Sequence, residues 1–118
     1  MRVLLVEDDA RIATFLRKGL SSAGFVVDWV ETGAQALTRV RMIDGERPDI
    51  VLLDLGLPDV DGLDVLAALR SSGCRTRVVV LTARSEAADR ARAVSLGIDD
   101  YLTKPFSMAE LLASLGVG

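Results

Sequence analysis

Two hydrophobic periodicities alternate along this chain. Val3-Leu4-Leu5-Val6 is an unbroken apolar run, the pattern of a strand buried on both faces of a parallel sheet. Ile12, Phe15, Leu16, Leu20 and Ala23 follow at helical spacing, and Gly24 supplies a stop. Phe25 to Val30 is β-branched and aromatic and predicts a second strand. Thr32 caps a helix carrying Ala36, Leu37 and Val40, expected to end around Asp44-Gly45. Ile50-Val51-Leu52-Leu53 predicts a third strand, with a turn at Leu57-Pro58-Asp59. Asp61 caps the next helix, whose apolar face is Val65, Leu66 and Leu69. Val78 to Leu81 predicts the fourth strand, and a helix from about Ser85 to Leu96 ends at Gly97. A short fifth strand lies around Asp100-Tyr101-Leu102. Ser107 caps a last helix with Met108, Leu111, Leu112 and Leu115 inward.

Five strands alternating with five helices predict a doubly wound α/β fold. The 118 residues suffice for one domain with one sizeable core, and half of them are hydrophobic. No repeat, linker or low-complexity segment interrupts the pattern. The last helix has barely two turns before Leu115-Gly116-Val117-Gly118, so the natural chain is expected either to continue or to have been cut there.

The composition removes several chemistries. With no histidine, Ser-His-Asp triads, Cys-His pairs and imidazole metal sites are excluded, and any metal must be a hard cation held by oxygen. The single cysteine, Cys74, excludes an internal disulfide, fits a reducing cytoplasmic compartment, and reads as an ordinary small residue beside a turn. A net charge of -3 and a pI near 4.9 argue against nucleic-acid binding by this chain alone. No apolar run reaches membrane-spanning length and no signal-peptide pattern opens the chain, so a soluble intracellular protein is expected. The excess of arginine over lysine and the abundance of alanine reflect genomic base composition more than function.

The polar residues that follow the strands change the picture. Glu7, Asp8 and Asp9 come after Val6, Asp54 after Leu53, Thr82 after Leu81, and Lys104 just past Tyr101-Leu102. Four strands thus deliver polar groups to their carboxyl ends, where open α/β sheets bind ligands. With strand order 2-1-3-4-5, strands 1 and 3 flank the switch point and Asp8 faces Asp54. Two carboxylates about 4 Å apart repel by roughly 4 kcal/mol at an effective dielectric near 20. Lys104 can offset one of them, and Mg²⁺ would offset more, because it favours carboxylates, waters and a phosphate oxygen together. Aspartate can itself be the nucleophile in phosphoryl transfer, giving an acyl phosphate, with Lys104 and the Thr82 hydroxyl binding phosphoryl oxygens. An isolated acidic triplet would be only a solvated helix-capping turn. Threonine after a strand is commonly a cap, Lys104 alone could be a surface charge, and Tyr101 alone a half-buried edge aromatic. Their convergence on one edge favours the site.

Val6-Glu7-Asp8-Asp9, Leu53 to Gly62, Leu81-Thr82-Ala83-Arg84 and Asp99 to Phe106 resemble, in order and spacing, the response-regulator receiver domains of the CheY-like superfamily. The resemblance covers essentially the whole chain. It implies a five-stranded parallel sheet in the order 2-1-3-4-5, the (βα)5 flavodoxin-like receiver fold. It further implies Asp54 as phosphoacceptor and Mg²⁺ (or Mn²⁺) bound by Asp8, Asp54, the Gly56 carbonyl and, through water, Glu7. Thr82 and Lys104 match the groups that grip the phosphoryl, and Tyr101 the aromatic that swings inward as Thr82 moves. Lys104-Pro105 is a candidate cis peptide, and Asp9 matches no family role. Arg84 and Gly56 flank the path of attacking water and are expected to tune the phosphoryl lifetime.

The residues around Tyr101 look most like the OmpR/PhoB-type subgroup. That likeness implies a sensor histidine kinase as phosphodonor, control of transcription, and a C-terminal DNA-binding domain that is absent from this chain. Arg90, Arg92, Asp99, Asp100 and Glu110 resemble the charges of the subgroup's dimer face, formed by helix 4, strand 5 and helix 5. The short last helix departs from relatives that carry it further, often with basic residues. The family's output is conformational rather than enzymatic, although receivers catalyse their own phosphorylation and dephosphorylation.

Three other functions are weaker. A metal-dependent aspartyl-phosphate phosphatase or phosphotransferase wants an acid two residues after the nucleophile, where this chain has Gly56, and a cap for which there is no room. A flavin module wants a Ser/Thr/Gly-rich phosphate loop where this chain has acids. A phosphorylation-independent dimerisation module would have no need of Asp8, Asp54 and Lys104, and all three are here.

Overall fold

The computed structural model of the chain describes residues 1–41 and 47–117. The elements alternate strictly: β1 (Arg2–Val6), α1 (Ala10–Ser22), β2 (Val26–Val30), α2 (Gly33–Val40), β3 (Ile50–Leu53), α3 (Gly62–Ser71), β4 (Arg77–Thr82), α4 (Ala87–Ser95), β5 (Asp100–Thr103) and α5 (Met108–Ser114). All strand pairs are parallel and the sheet order is β2-β1-β3-β4-β5, as expected. The end assigned to the second helix, Asp44-Gly45, lies outside the described residues.

The unbroken apolar runs follow from burial on both faces. Successive side chains in a strand point to opposite sides of the sheet. Leu4, Val6, Val51, Leu53, Val78 and Val80 therefore meet Ala36, Leu66, Leu69 and Ala93 from α2, α3 and α4. Val3, Leu5, Ile50, Leu52, Val79 and Leu81 meet Ala13, Leu16 and Leu20 of α1 and Leu111 near the end of the chain. Each Val, Leu or Ile among them contributes about 1.5–3 kcal/mol on leaving water. Among the inward residues expected of the last helix, Leu111 and Leu115 are buried, while Met108 and Leu112 pack at the edge of the cluster.

Two local readings need correction. Phe15, read at helical spacing with Ile12, Leu16, Leu20 and Ala23, is 52% exposed. The stripe Ala13, Leu16 and Leu20 occupies the sheet, and Phe15 instead borders a shallow apolar cleft with Ile12, Pro105 and Phe106. The fourth helix starts at Ala87 rather than Ser85, and its N-cap Glu86 makes no side-chain bond to the first turn. Without a capping acceptor the first amides have no partner to fix an earlier start.

Gly62 sets the distance between α3 and the segment following Asp54. A Cβ there would lie 2.5 Å from Leu55 Cα and 2.6 Å from the Asp54 carbonyl oxygen. Both are backbone atoms and cannot swing aside. Gly62→Ala is expected to lower stability by about 1–3 kcal/mol through overpacking. Gly56→Ala, whose Cβ would meet only Asp54 Oδ1 at 3.9 Å, should cost much less. Urea midpoints of the two variants check this order.

Candidate phosphoacceptor and metal site

The site follows from register. Val6 of β1 lies opposite Leu53 of β3, so the next residues, Glu7 and Asp54, emerge side by side at the carboxyl edge of the sheet. Lys104 arrives from the end of β5, on the far side of β4, and its N–H donates to the Thr82 carbonyl at 2.8 Å. The Lys104-Pro105 peptide is cis, as the resemblance implied. From this position Lys104 Nζ donates to Glu7 Oε1 at 2.7 Å and to Asp54 Oδ2 at 3.0 Å. Glu7 and Asp54 are only 2% and 7% exposed. Asp8 is exposed beside them, and one carboxylate oxygen each from Glu7, Asp8 and Asp54 falls within 4.8 Å of the others.

The electrostatics are asymmetric. Burial, reinforced by the charge of Asp54, pushes the Glu7 carboxyl up to about 7 despite its bond to Lys104. Burial opposes ionisation of Asp54 too, but the Gly56 N–H, which donates to Asp54 Oδ1 at 3.1 Å, and Lys104 outweigh it. Asp54 is thus held below its ordinary value and stays a carboxylate. Burial disfavours the charged form of Lys104, yet its two carboxylate partners raise its pKa overall. The donor set is all oxygen, anionic and half open to solvent, which fits a hard divalent cation such as Mg²⁺ or Mn²⁺.

The remaining predicted residues divide. Thr82 is buried at the end of β4, and its Oγ1 accepts from the Arg84 N–H at 3.2 Å. Tyr101 is buried, and its hydroxyl donates to the Arg84 carbonyl at 2.8 Å. Arg84 itself reaches both Asp61 carboxylate oxygens at 3.0 Å and the Leu55 carbonyl at 3.4 Å. One residue therefore ties Thr82, Tyr101 and the loop after Asp54 together. The pairing with Asp61 spans 23 positions, and no local signal announces it. Asp9, which had no assigned role, is the N-cap of α1, accepting from Arg11 N and Ile12 N. Asp59 accepts from the Gly33 and Ala34 amides at the start of α2.

The charges of the candidate dimer face have partners within the chain. Arg92 pairs with Asp64, Arg77 with Asp99, and Asp100 with the Ser114 hydroxyl. Arg90 lies over the Tyr101 ring at 5.6 Å, and Glu110 completes a capping box with Ser107.

The raised Glu7 carboxyl has a consequence for stability. Its ordinary value is 4.5 and its folded value about 7, so between them the folded chain holds a proton that the unfolded chain releases. Its stabilising contribution is complete below 4.5 and is lost as pH rises through 7. Asp54, shifted the other way, acts in the acid range, where its contribution is lost as pH falls. No histidine titrates in the window. In metal-free buffer the melting temperature should fall from about pH 5 to about pH 7, and Glu7→Gln should flatten that slope.

A family model described as the response regulator receiver domain matches residues 3–116. The transcriptional activator protein IrlR of Burkholderia pseudomallei is 45% identical over 113 residues, covering 96% of this chain and 48% of that protein. The chain therefore spans about half the length of this curated relative. The receiver domain of Francisella response regulator 1452 superposes with a TM-score of 0.88 at 30% identity, over 98% of this chain and 93% of the other. The Mn²⁺-bound form of response regulator Rcp1 superposes with a TM-score of 0.81 at 28% identity, over 98% and 89%. Among the described residues no helix is long and apolar enough to cross a membrane. With a match that runs through every strand and every residue of the acidic edge, this chain belongs to the response regulator receiver domain family.

Proposed function

We propose that the chain is the phosphorylation-activated switch of a two-component response regulator and that Asp54 is its phosphoacceptor. The observation that carries the reading is the Asp54 carboxylate, kept ionised at the sheet edge between Lys104 Nζ and the Gly56 N–H. An Asp54 oxygen attacks the phosphorus of phosphohistidine on a sensor histidine kinase. The P–N bond breaks, its electrons return to the imidazole, and an acyl phosphate forms. Glu7, Asp8, Asp54 and the Gly56 carbonyl would hold Mg²⁺ or Mn²⁺, which supplies neutralisation of phosphoryl-oxygen charge. Lys104 exchanges its carboxylate contacts for a phosphoryl oxygen. Thr82 turns its hydroxyl from the Arg84 N–H to another.

Conformational output follows from that exchange. Thr82 and Tyr101 both bind Arg84, so loss of the Thr82 bond alters the loop that Tyr101 holds. Moving the population from 1:99 to 99:1 requires about 5.5 kcal/mol of preference for the active state, within reach of a charged group bound by a lysine, a hydroxyl and a metal. The face of α4, β5 and α5 would carry the signal, through homodimerisation and, in the whole protein, a DNA-binding partner domain. Residues 1–118 act as the receiver unit, and a cytoplasmic setting suits such a regulator. Phosphotransfer and autodephosphorylation are intrinsic chemistry of this site, not turnover of an external substrate.

Intact-mass spectrometry after incubation with acetyl phosphate tests the reading. A single phosphoryl adduct is expected in wild type with Mg²⁺, and none without Mg²⁺ or in Asp54→Asn. Absence of an adduct in folded wild type, with a donor shown to be active, would overturn it.

A further inference from the structure

We propose that Trp29 is a positioning residue for the metal site: its indole N–H fixes the peptide that precedes Asp8 and so sets where that carboxylate meets the cation. This inference rests on the Mg²⁺ reading above. Trp29 Nε1 donates to the Glu7 carbonyl at 2.7 Å, the bond linking β2 to the acidic loop across 22 positions.

The bond completes a ladder that the backbone leaves unfinished. At the end of the β1–β2 pair, the Glu7 N–H donates to the Val30 carbonyl at 3.1 Å. In a parallel ladder the next bond would run from the Thr32 N–H to the Glu7 carbonyl. Thr32 cannot supply it, because its N–H donates to Gln35 Oε1 in the capping box of α2. The Trp29 side chain takes that place. The exposed Arg17 guanidinium lies 5.6 Å from the ring centroid.

Asp8 depends on this arrangement more than its neighbours do. Glu7 is fixed by Lys104, and Asp9 by capping α1 and by its N–H bond to Glu7 Oε2 at 3.3 Å. Among the described residues the Asp8 carboxylate has no hydrogen bond, yet it completes the acidic trio. Its direction is inherited from the peptides on either side, and Trp29 holds the earlier one. Outer partners that orient metal ligands typically contribute about 10–100-fold to metal affinity.

The test is Mg²⁺ titration calorimetry on the full chain, well below the melting temperature of each variant. Trp29→Phe should weaken Mg²⁺ binding about tenfold, whereas Arg17→Ala, which removes the stacked cation but keeps the N–H, should bind as wild type. Benzothienylalanine at position 29, equal in size to tryptophan but lacking the N–H, should reproduce the loss, and it serves if Trp29→Phe fails to fold. A merely structural tryptophan would lower the melting temperature and leave the Mg²⁺ constant alone. Undiminished binding in the benzothienylalanine variant, with binding lost in Asp8→Asn, would overturn the role of Trp29 and leave the metal reading standing. Wild type that binds no Mg²⁺ would overturn both.

Discussion

Two adjacent carboxylates buried at a sheet edge need their charge offset, and Lys104 does this from a position in contact with both. At an effective dielectric near 20, unit charges about 5 Å apart repel by roughly 3 kcal/mol, and desolvation adds to this because both acids lie almost wholly out of water. One ammonium that touches Glu7 Oε1 and Asp54 Oδ2 relieves both, but unequally. Glu7 is left with a raised carboxyl, whereas Asp54, with a second donor in the Gly56 N–H, stays ionised. The arrangement leaves negative charge over toward Asp8, the side open to solvent. That residual charge is what a divalent cation would answer.

The rest of the fold serves the placement of these groups. Parallel pairing of β1 with β3 brings Glu7 beside Asp54, and β5 returns Lys104 to the same edge from the other end of the sheet. Such pairing requires a crossover helix between each pair of strands. Those helices cover both faces and make the apolar runs fully buried. Gly62 allows the first turn of α3 to press against the backbone of Asp54 and Leu55, which supports that segment from behind.

Arg84 gives the edge a mechanical connection to the surface. Its N–H, carbonyl and guanidinium engage Thr82, Tyr101 and Asp61 respectively. Thr82, the Tyr101 ring and the N-cap of α3 are thus joined through one residue. Packing there is light: α4 buries only Ala93 and has no side-chain cap. Elements with few buried contacts are those that can shift at low cost.

Much of this was legible in the sequence. Runs such as Val3 to Val6 and Ile50 to Leu53 have the length and pattern of strands buried on two faces, and Thr32, Asp61 and Ser107 marked helix starts by capping chemistry that acts over three or four residues. The polar residues placed just past those runs fixed which groups would reach the sheet edge, because a strand dictates where its own end lies. Other features depended on residues far apart in the chain. Phe15 fits the helical period but misses the sheet, since the angle at which α1 packs is set by its neighbours. The Arg84–Asp61 pair, the bond from Trp29 to Glu7 and the uneven charges of Glu7 and Asp54 arise from approach distances and burial. Local periodicity carries no information about those quantities, and only the packed sheet decides them.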